Sequence, residues 1–493
     1  MALVVDDILH CAASSAPNRL AATLGDDRTT FGELRRRSNR LANALLGLGV
    51  APGDRVAWWS DTSLDGVGLY FGLGRIGAPF CPLNPAYGED ELQAVLEYLR
   101  PRLLVADPGH AERAEHLAAD LGLALATVGA RGPGADLDAL ADAASPDTPP
   151  VARPDEGDIF SIFLTSGSTG RPKGVMVSQR ATWLRTHAGA AAHAVSGGRG
   201  DVVMFPLFHM AGWNFSAMAW SAQRPAHLVH RADAELLLGE IDRWSAATLY
   251  CLPAVWQRVL TSGHRADTSS LDWALTGTSE VTTELLGAIK MRFPGSRTTV
   301  NYGATETGRA VALADRDLFL RPGSVGLPIP GVRAEVADDG ELLLASDRLM
   351  SGYFDLPEAS AEALAGGWYH TGDLARRDDD GYLTIVGRKK EVIRTGGETV
   401  APVEVEAALR GFPGLSELAV VGVPDPDWGE VVCAVVVPED GSEPPTVDDL
   451  RRHLTDRLSP YKHPRRVVVA RDLPRTPATG QIQRAELARQ LGS

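Results

Sequence analysis

The chain alternates two hydrophobic rhythms. In Phe31–Leu48 (FGELRRRSNRLANALLGL) apolar residues recur every three or four positions with arginines between them, which predicts an amphipathic helix. Gly53-Asp54 then leads into the apolar run Arg55–Trp59, a predicted buried strand. Leu92–Leu99 followed by Arg102–Ala106 repeats the order of helix, then strand. Such alternation predicts a parallel sheet covered on both faces. Ala141–Asp158, rich in Pro, Ala and Asp, predicts a surface connection. Beyond it, Ile159–Leu164 reads as a strand that runs straight into a Gly/Ser/Thr-rich loop, and further α/β units continue to about residue 330. Asp-Gly turns precede Glu341–Leu344 and Gly381–Ile385, which predicts hairpin strands. From about Glu391 a compact α+β unit follows. Its helices are expected over Val403–Leu409 and Thr446–Leu458, and its strands over Glu417–Val423, Val431–Val437 and Arg466–Val469.

Composition narrows the class. With 493 residues, 44% apolar and 23% charged, the chain is long enough for roughly two to four globular domains. No apolar run approaches the ~18 residues of a membrane helix. Met1–Leu9 carries Asp6 and Asp7 and does not read as a secretory signal. Cys11, Cys81, Cys251 and Cys433 lie far apart, which indicates neither a zinc site nor a disulfide framework. A cytoplasmic enzyme is expected, without stable membrane insertion. The net charge of −15 argues against nucleic acid as a partner, so a polyanionic ligand must be gripped by locally arranged donors. Of 48 basic residues only Lys173, Lys290, Lys389, Lys390 and Lys462 are lysines. Where arginine is the default cation, a lysine marks a position whose geometry matters; Lys290 reads instead as a surface lysine.

The most informative stretch is Thr165-Ser166-Gly167-Ser168-Thr169-Gly170-Arg171-Pro172-Lys173-Gly174. Four hydroxyls, several glycines and one lysine follow a strand. Glycines let backbone N–H groups approach phosphate oxygens, hydroxyls add donors, and lysine adds charge. The spacing is neither a Walker A loop nor GxGxxG.

This loop resembles the signature of the adenylate-forming superfamily, which includes acyl-CoA synthetases, peptide-synthetase adenylation domains and luciferases. Further motifs occur in the family's order: Tyr302-Gly303-Ala304-Thr305-Glu306, Trp368-Tyr369-His370-Thr371-Gly372-Asp373-Leu374, Gly387-Arg388-Lys389-Lys390-Glu391, Gly396-Gly397-Glu398 and Pro402-x-Glu404-Val405-Glu406. The likeness runs from near residue 30 to near residue 487. It implies an α/β fold: a large N-terminal domain of layered α/β subdomains (1–387), a hinge (388–391) and a small, mobile C-terminal α+β domain (392–493).

The implied chemistry has two halves. A carboxylate attacks the α-phosphorus of ATP to give acyl-AMP and pyrophosphate, and CoA then displaces AMP. Magnesium is expected with the nucleotide. The resemblance places nucleotide contacts at Thr165–Gly170, Lys173, Ser279, Glu280, Tyr302–Thr305, Asp373, Ile385 and Arg388, with Tyr302 stacking on adenine and Asp373 accepting the ribose hydroxyls. Glu306, with Thr165, is the implied magnesium ligand. Lys173, Thr305, Glu306, His209, Arg388 and Gln481 form the implied catalytic set. His209, Trp213, Gly277, Thr278 and Gly303 are the implied acyl pocket. Lys390 is the implied hinge residue, and Gly396, Gly397, Glu398, Tyr461 and Lys462 the implied CoA contacts. A carrier protein acting in trans and a monomer or homodimer are compatible with the reading.

Two departures stand out. Where the family has Gly-Lys, this chain has Gly480-Gln481, which keeps an N–H donor but loses the charge. An engineered block of adenylation, a mimic of acetylated lysine, and a natural enzyme with a different activated species all fit. The second departure is Gly277-Thr278-Ser279-Glu280 in place of Gly-Gly-Ala-Pro. Thr278 is expected to narrow or polarise the acyl pocket, favouring a short or aromatic acid. The alternatives are transfer to another acceptor (an amine, a carrier thiol, or a nitrogen nucleophile as in ligase-like diazotases that activate nitrite) and a non-catalytic nucleotide-binding homologue.

Overall fold

The computed structural model describes residues 2–129, 132–165, 172–193, 198–396, 398–476 and 480–492, with backbone only for 188–193. The chain divides into two compact units. One comprises Met1–Pro322, Pro328–Arg333 and Ala345–Tyr369; the other comprises Gly323–Leu327, Ala334–Leu344 and His370–Ser493.

The first unit is layered α/β, as the alternating pattern predicts. In one sheet Val56–Trp59 lies between Phe80–Leu83 and Leu103–Ala106, all parallel. Successive residues of Val56–Trp59 point to opposite faces. Val56 and Trp58 therefore enter one core with the helices Phe31–Gly47 and Leu64–Ile76, while Ala57 and Trp59 enter a second core with Glu89–Leu99 and Ala111–Leu121. The other large sheet runs parallel through Ala226–Leu228, Asp201–Val203, Thr248–Tyr250, Trp273–Gly277 and Arg297–Ala304. It shares the first core through Val203, Ala226 and Leu228, and buries Val202, Leu249 and Ala274 on its far face. The helix Leu64–Ile76 sits in the shared layer and is buried almost all round. Its glycines permit that: a Cβ on Gly66 would stand 2.4 Å from the Trp58 ring.

His227, between Ala226 and Leu228, points to the opposite face of the sheet and is 1% exposed, with its Nδ1 2.9 Å from Thr23 Oγ1 and its ring stacked on Trp244. Burial pulls its pKa down to about 4. The fold thus keeps the ring neutral, whereas the unfolded chain takes up the proton near pH ~6.5. Stability should therefore fall as pH drops through ~6.5 and level off below the folded pKa, by ~3 kcal/mol for one such histidine. Urea midpoints measured between about pH 8 and about pH 4 test this. His227→Gln should flatten the slope, and an unchanged slope would assign it to other groups.

The second unit carries an antiparallel sheet of Arg333–Val336, Glu341–Ala345, Tyr369–Arg377 and Leu383–Arg388. Its hairpins turn at Gly340 and Gly381, both at positive φ, as the Asp-Gly signals predict. The tail sheet pairs Leu415–Asp425 with Gly429–Pro438, and Arg466–Val469 adds in parallel. Helices Pro402–Ala408 and Val447–Leu454 pack on one face, and Arg484–Gly492 on the other. Three expectations change in detail. The predicted connection from Ala141 begins instead after the helix Leu137–Ala143, which Asp136 caps. The helix expected over Thr446–Leu458 stops at Leu454. Lys290 is not a bare surface lysine: its ammonium holds Ser296 O at 2.7 Å and Asp315 Oδ1 at 2.8 Å, tying its helix to the next strand.

Candidate active site

In the large unit, Ile159–Thr165 and Lys173–Ser178 pair antiparallel and set Thr165 opposite Lys173. Ser166, Gly167, Ser168, Thr169 and Gly170 lie outside the described residues. The Lys173 ammonium stands 4.7 Å from the centre of the Tyr353 ring. The Tyr353 hydroxyl donates to Glu306 Oε1 at 3.0 Å, so one tyrosine links the loop lysine to the implied metal ligand. Burial, then the Glu306 charge, pushes the Tyr353 and Tyr369 phenols upward and keeps both protonated. The Thr165 hydroxyl donates to Lys173 O at 3.4 Å.

Tyr302, Gly303 and Ala304 end the strand Arg297–Ala304, and Thr305-Glu306 begin the turn into the antiparallel strand Gly308–Leu313. The turn is clamped by a residue that motif reading missed. Arg185, 6% exposed, donates from Nη1 to Thr305 O at 3.0 Å, from Nη2 to Glu306 O at 2.8 Å and from Nε to Arg348 O at 2.8 Å. Burial lowers its pKa to about 10, and Glu306 opposes the shift. Its place in the helix Gln179–His193, outside every motif, left no signal beyond one arginine among small and apolar neighbours.

The same unit also carries an aromatic cluster. Phe205 is parallel to Phe215 and nearly so to His209, with ring centres 5.8 Å away in each case, and it also contacts Tyr250 at 5.3 Å. His209 Nδ1 accepts from Ala211 N at 3.1 Å, and burial lowers its pKa to about 4, so the ring is neutral with its proton on Nε2. Gly277 has φ +147°, and a Cβ there would lie 2.0 Å from Asn301 O, so no side chain fits. Thr278 takes the left-handed conformation, φ +72°, and its hydroxyl bonds the Tyr250 hydroxyl at 3.0 Å. A β-branched residue there carries ~1–2 kcal/mol of strain, held by that bond. Ser279 and Glu280 are exposed on the following loop. Trp213 is a correction. It is 1% exposed, stacks flat on Tyr70 at 4.3 Å and donates to Leu207 O, so it belongs to the core shared by the two sheets. Phe215, two positions on, is the residue of this helix that meets Tyr250.

In the second unit, strand register sets Asp373 opposite Arg388, with Arg388 Nε 2.9 Å from Asp373 Oδ1. Thr371 Oγ1 accepts from Asp373 N at 3.0 Å and fixes its turn. Ile385 pairs with Ala375 on the same hairpin. Lys389 is held by Asp339 at 2.7 Å and Glu341 at 2.8 Å, while Lys390 is exposed. Just beyond, Arg484 binds Glu406 through two bonds and Glu391 at 3.3 Å. That pair of contacts ties the end of the chain to the segment after Lys390. Gly396 has φ +58°, and a Cβ there would strike the Trp428 ring at 2.7 Å. Gly397 lies outside the described residues, and Glu398 opens the strand Glu398–Val400. Lys462 is paired with Glu404 at 2.5 Å and lies over Tyr461. Gln481 N donates to Thr476 Oγ1 at 3.1 Å, and Thr476 N to Gln481 O at 2.8 Å.

Two family models match the chain: "AMP-binding enzyme" over residues 9–354 and "AMP-binding enzyme C-terminal domain" over 404–479. A feruloyl-CoA synthase from an Amycolatopsis species is 36% identical over 97% of both chains. Among solved structures, ATP-bound MatB from Rhodopseudomonas palustris (28% identity, TM-score 0.87) and the amide bond synthetase McbA from Marinactinospora thermotolerans (28%, 0.88) each superpose over 99% of both chains. Fold and matches together define an AMP-forming ligase of the acyl-CoA synthetase type. The chain belongs to the AMP-binding enzyme family, within the adenylate-forming superfamily.

Proposed function

We propose that this enzyme activates a short or aromatic carboxylic acid with Mg-ATP to acyl-AMP and passes the acyl group to CoA. The observation that carries the reading is the linkage Lys173–Tyr353–Glu306 at the end of the glycine-rich loop. It joins a cation for phosphate to a hard carboxylate oxygen. A magnesium ion that keeps water and phosphate oxygens in its shell needs only one or two such carboxylates, and Glu306, anchored by Tyr353, fits it. Magnesium would supply charge neutralisation at the phosphates. Lys173 and the backbone of the Thr305 turn would orient them. Asp373 would accept the ribose hydroxyls, with Arg388 beside it.

Neutral His209 in the aromatic cluster would border the acyl carbonyl. Phe205, Phe215 and Tyr250, with Gly277 closed and Thr278 bridged to Tyr250, favour flat or short acids over long chains. Residues 388–391 would hinge domains 1–387 and 392–493, with Lys390 as the pivot and Gly396 to Glu398, Tyr461 and Lys462 near CoA. An amine acceptor is the second reading, and the McbA likeness supports it.

The test is release of pyrophosphate and AMP over a panel of acids, with and without CoA. Acid-dependent pyrophosphate followed by CoA-dependent AMP supports the ligase. AMP release driven by an amine and indifferent to CoA favours the second reading. Turnover confined to C12–C16 acids would defeat the pocket assignment.

A further inference from the structure

Tyr98 meets the strand that carries Lys173 from its far side. The phenol sits in the last turn of the helix Glu89–Leu99 and joins the second core with Ile162, Met176 and Phe354. Val175 and Tyr353, paired across the strands Lys173–Ser178 and Gly352–Tyr353, lie in the first core. Alternate residues of a strand share a face. Lys173 therefore points with Val175 and Tyr353, while Gly174 and Phe354 belong to the face that Tyr98 covers.

One hydroxyl closes the pairing of these strands. Register places Phe354 opposite Gly174, one step beyond the pair of Tyr353 and Val175. Two residues opposed in this way can exchange two backbone bonds. Phe354 N donates directly to Gly174 O at 2.7 Å. The return path runs through Tyr98: Gly174 N donates to its hydroxyl at 3.3 Å, and that hydroxyl donates to Phe354 O. The Tyr98 ring packs edge-on against Phe354 with centres 5.5 Å apart. A Cβ on Gly174 would stand 2.8 Å from Ile162 Cγ2 and 3.5 Å from Tyr98 Cε1, so glycine leaves the room the bridge needs. Burial raises the Tyr98 pKa, and the hydroxyl keeps the proton it donates.

The bridged groups belong to the residues next to Lys173 and Tyr353. On the opposite face the Lys173 ammonium stands 4.7 Å from the Tyr353 ring centre, and Tyr353 donates to Glu306. Both contacts depend on the spacing of the two strands. Gly352–Tyr353 is only two residues long, so its spacing is fixed from outside. We infer that Tyr98 is a positioning residue for ATP: by bridging Gly174 and Phe354 it keeps Lys173 aimed at the nucleotide phosphates. The inference rests on Lys173 serving those phosphates, as proposed above.

The test is calorimetric binding of magnesium α,β-methylene-ATP, whose α–β bridge is not cleaved, without acid or CoA. Native enzyme is compared with Tyr98→Phe, Lys173→Met and the double variant. Lys173→Met should weaken binding roughly tenfold or more, as loss of a charge-assisted phosphate contact does. Tyr98→Phe should weaken it roughly three- to tenfold, the worth of about one hydrogen bond. In the Lys173→Met background the same change should cost less than about twofold, because a residue acting through another is not additive with it. Arg100→Asn is the control. It removes the exposed pair with Asp355, suits the left-handed backbone there (φ +47°), and should bind as the native enzyme does.

If Tyr98 only holds the fold together, Tyr98→Phe will lower the urea midpoint and the number of binding sites but not the affinity per site. That result overturns the inference, and so does an equal loss in both backgrounds. Weakening by Lys173→Met with native affinity in Tyr98→Phe defeats the role of Tyr98 alone. No binding by the native enzyme, or binding that Lys173→Met leaves intact, defeats the phosphate role of Lys173 and the inference with it.

Discussion

Replacing Gln481 by lysine is expected to accelerate acyl-AMP formation roughly 10²–10³-fold, about 3–4 kcal/mol of transition-state stabilisation. Phosphoryl transfer asks the protein for positioning and for charge where charge develops, and little else. An amide at this position still donates a hydrogen bond but cannot neutralise. Main-chain bonds and Arg475 hold the loop that presents residue 481. Gln481 N and O both bond Thr476, Arg475 pairs with Ile482 as an isolated bridge, and the Arg475 guanidinium holds Gly480 O at 2.8 Å and Glu417 at 2.7 Å. The substitution should therefore change charge and leave the backbone alone. Single-turnover pyrophosphate release reads the first half-reaction. Thioester formation from synthetic acyl-AMP and CoA reads the second, which should hold within about twofold, because an interaction made only in the first transition state affects only that step. A gain in both halves, or none in either, would mean that residue 481 does not act on the adenylation transition state.

Period and turn chemistry carried most of the architecture. Val56–Trp59 was legible because four consecutive apolar residues can be buried only between two covered faces. The hairpins at Gly340 and Gly381 were legible because Asp-Gly names its own turn. The tail strands and the helix Pro402–Ala408 followed from the same rules, with ends shifted by a residue or two. The site was legible only where function leaves a local motif. Lys173, Glu306, Asp373 and Arg388 sit in such motifs; their partners do not. Tyr353 meets Glu306, and Arg185 meets Thr305, across many residues of sequence, and nothing local marks either contact. Trp213 failed for the opposite reason. An aromatic beside a motif looks like a pocket wall, but the helix Met210–Ser221 turns that position into the core and leaves Phe215 to meet Tyr250.

Arg185→Leu should cost ~3–6 kcal/mol of stability and, at temperatures where the protein is folded, ~10²-fold in adenylation. The first figure counts the carbonyls of Thr305, Glu306 and Arg348, each left without its donor at ~1–3 kcal/mol, less what relaxation recovers. The second follows from what those carbonyls belong to. Two are in the turn that presents Glu306, so releasing them lets the carboxylate drift from the phosphates, and small misplacements at a reacting centre are costly. Arg224→Met is the matched control. Arg224 is buried in the same unit, pairs with Asp201 at 2.9 Å and touches no part of the proposed site, so breaking that pair should cost a comparable ~3–5 kcal/mol. If Arg185 only holds the fold together, the two variants will lose activity in proportion to their folded fractions. If it positions Glu306, Arg185→Leu alone will need more magnesium for half-maximal adenylation, and Arg185→Lys, which keeps the charge but cannot reach three carbonyls at once, will fall between them. Equal magnesium dependence in all three would reduce Arg185 to a structural residue.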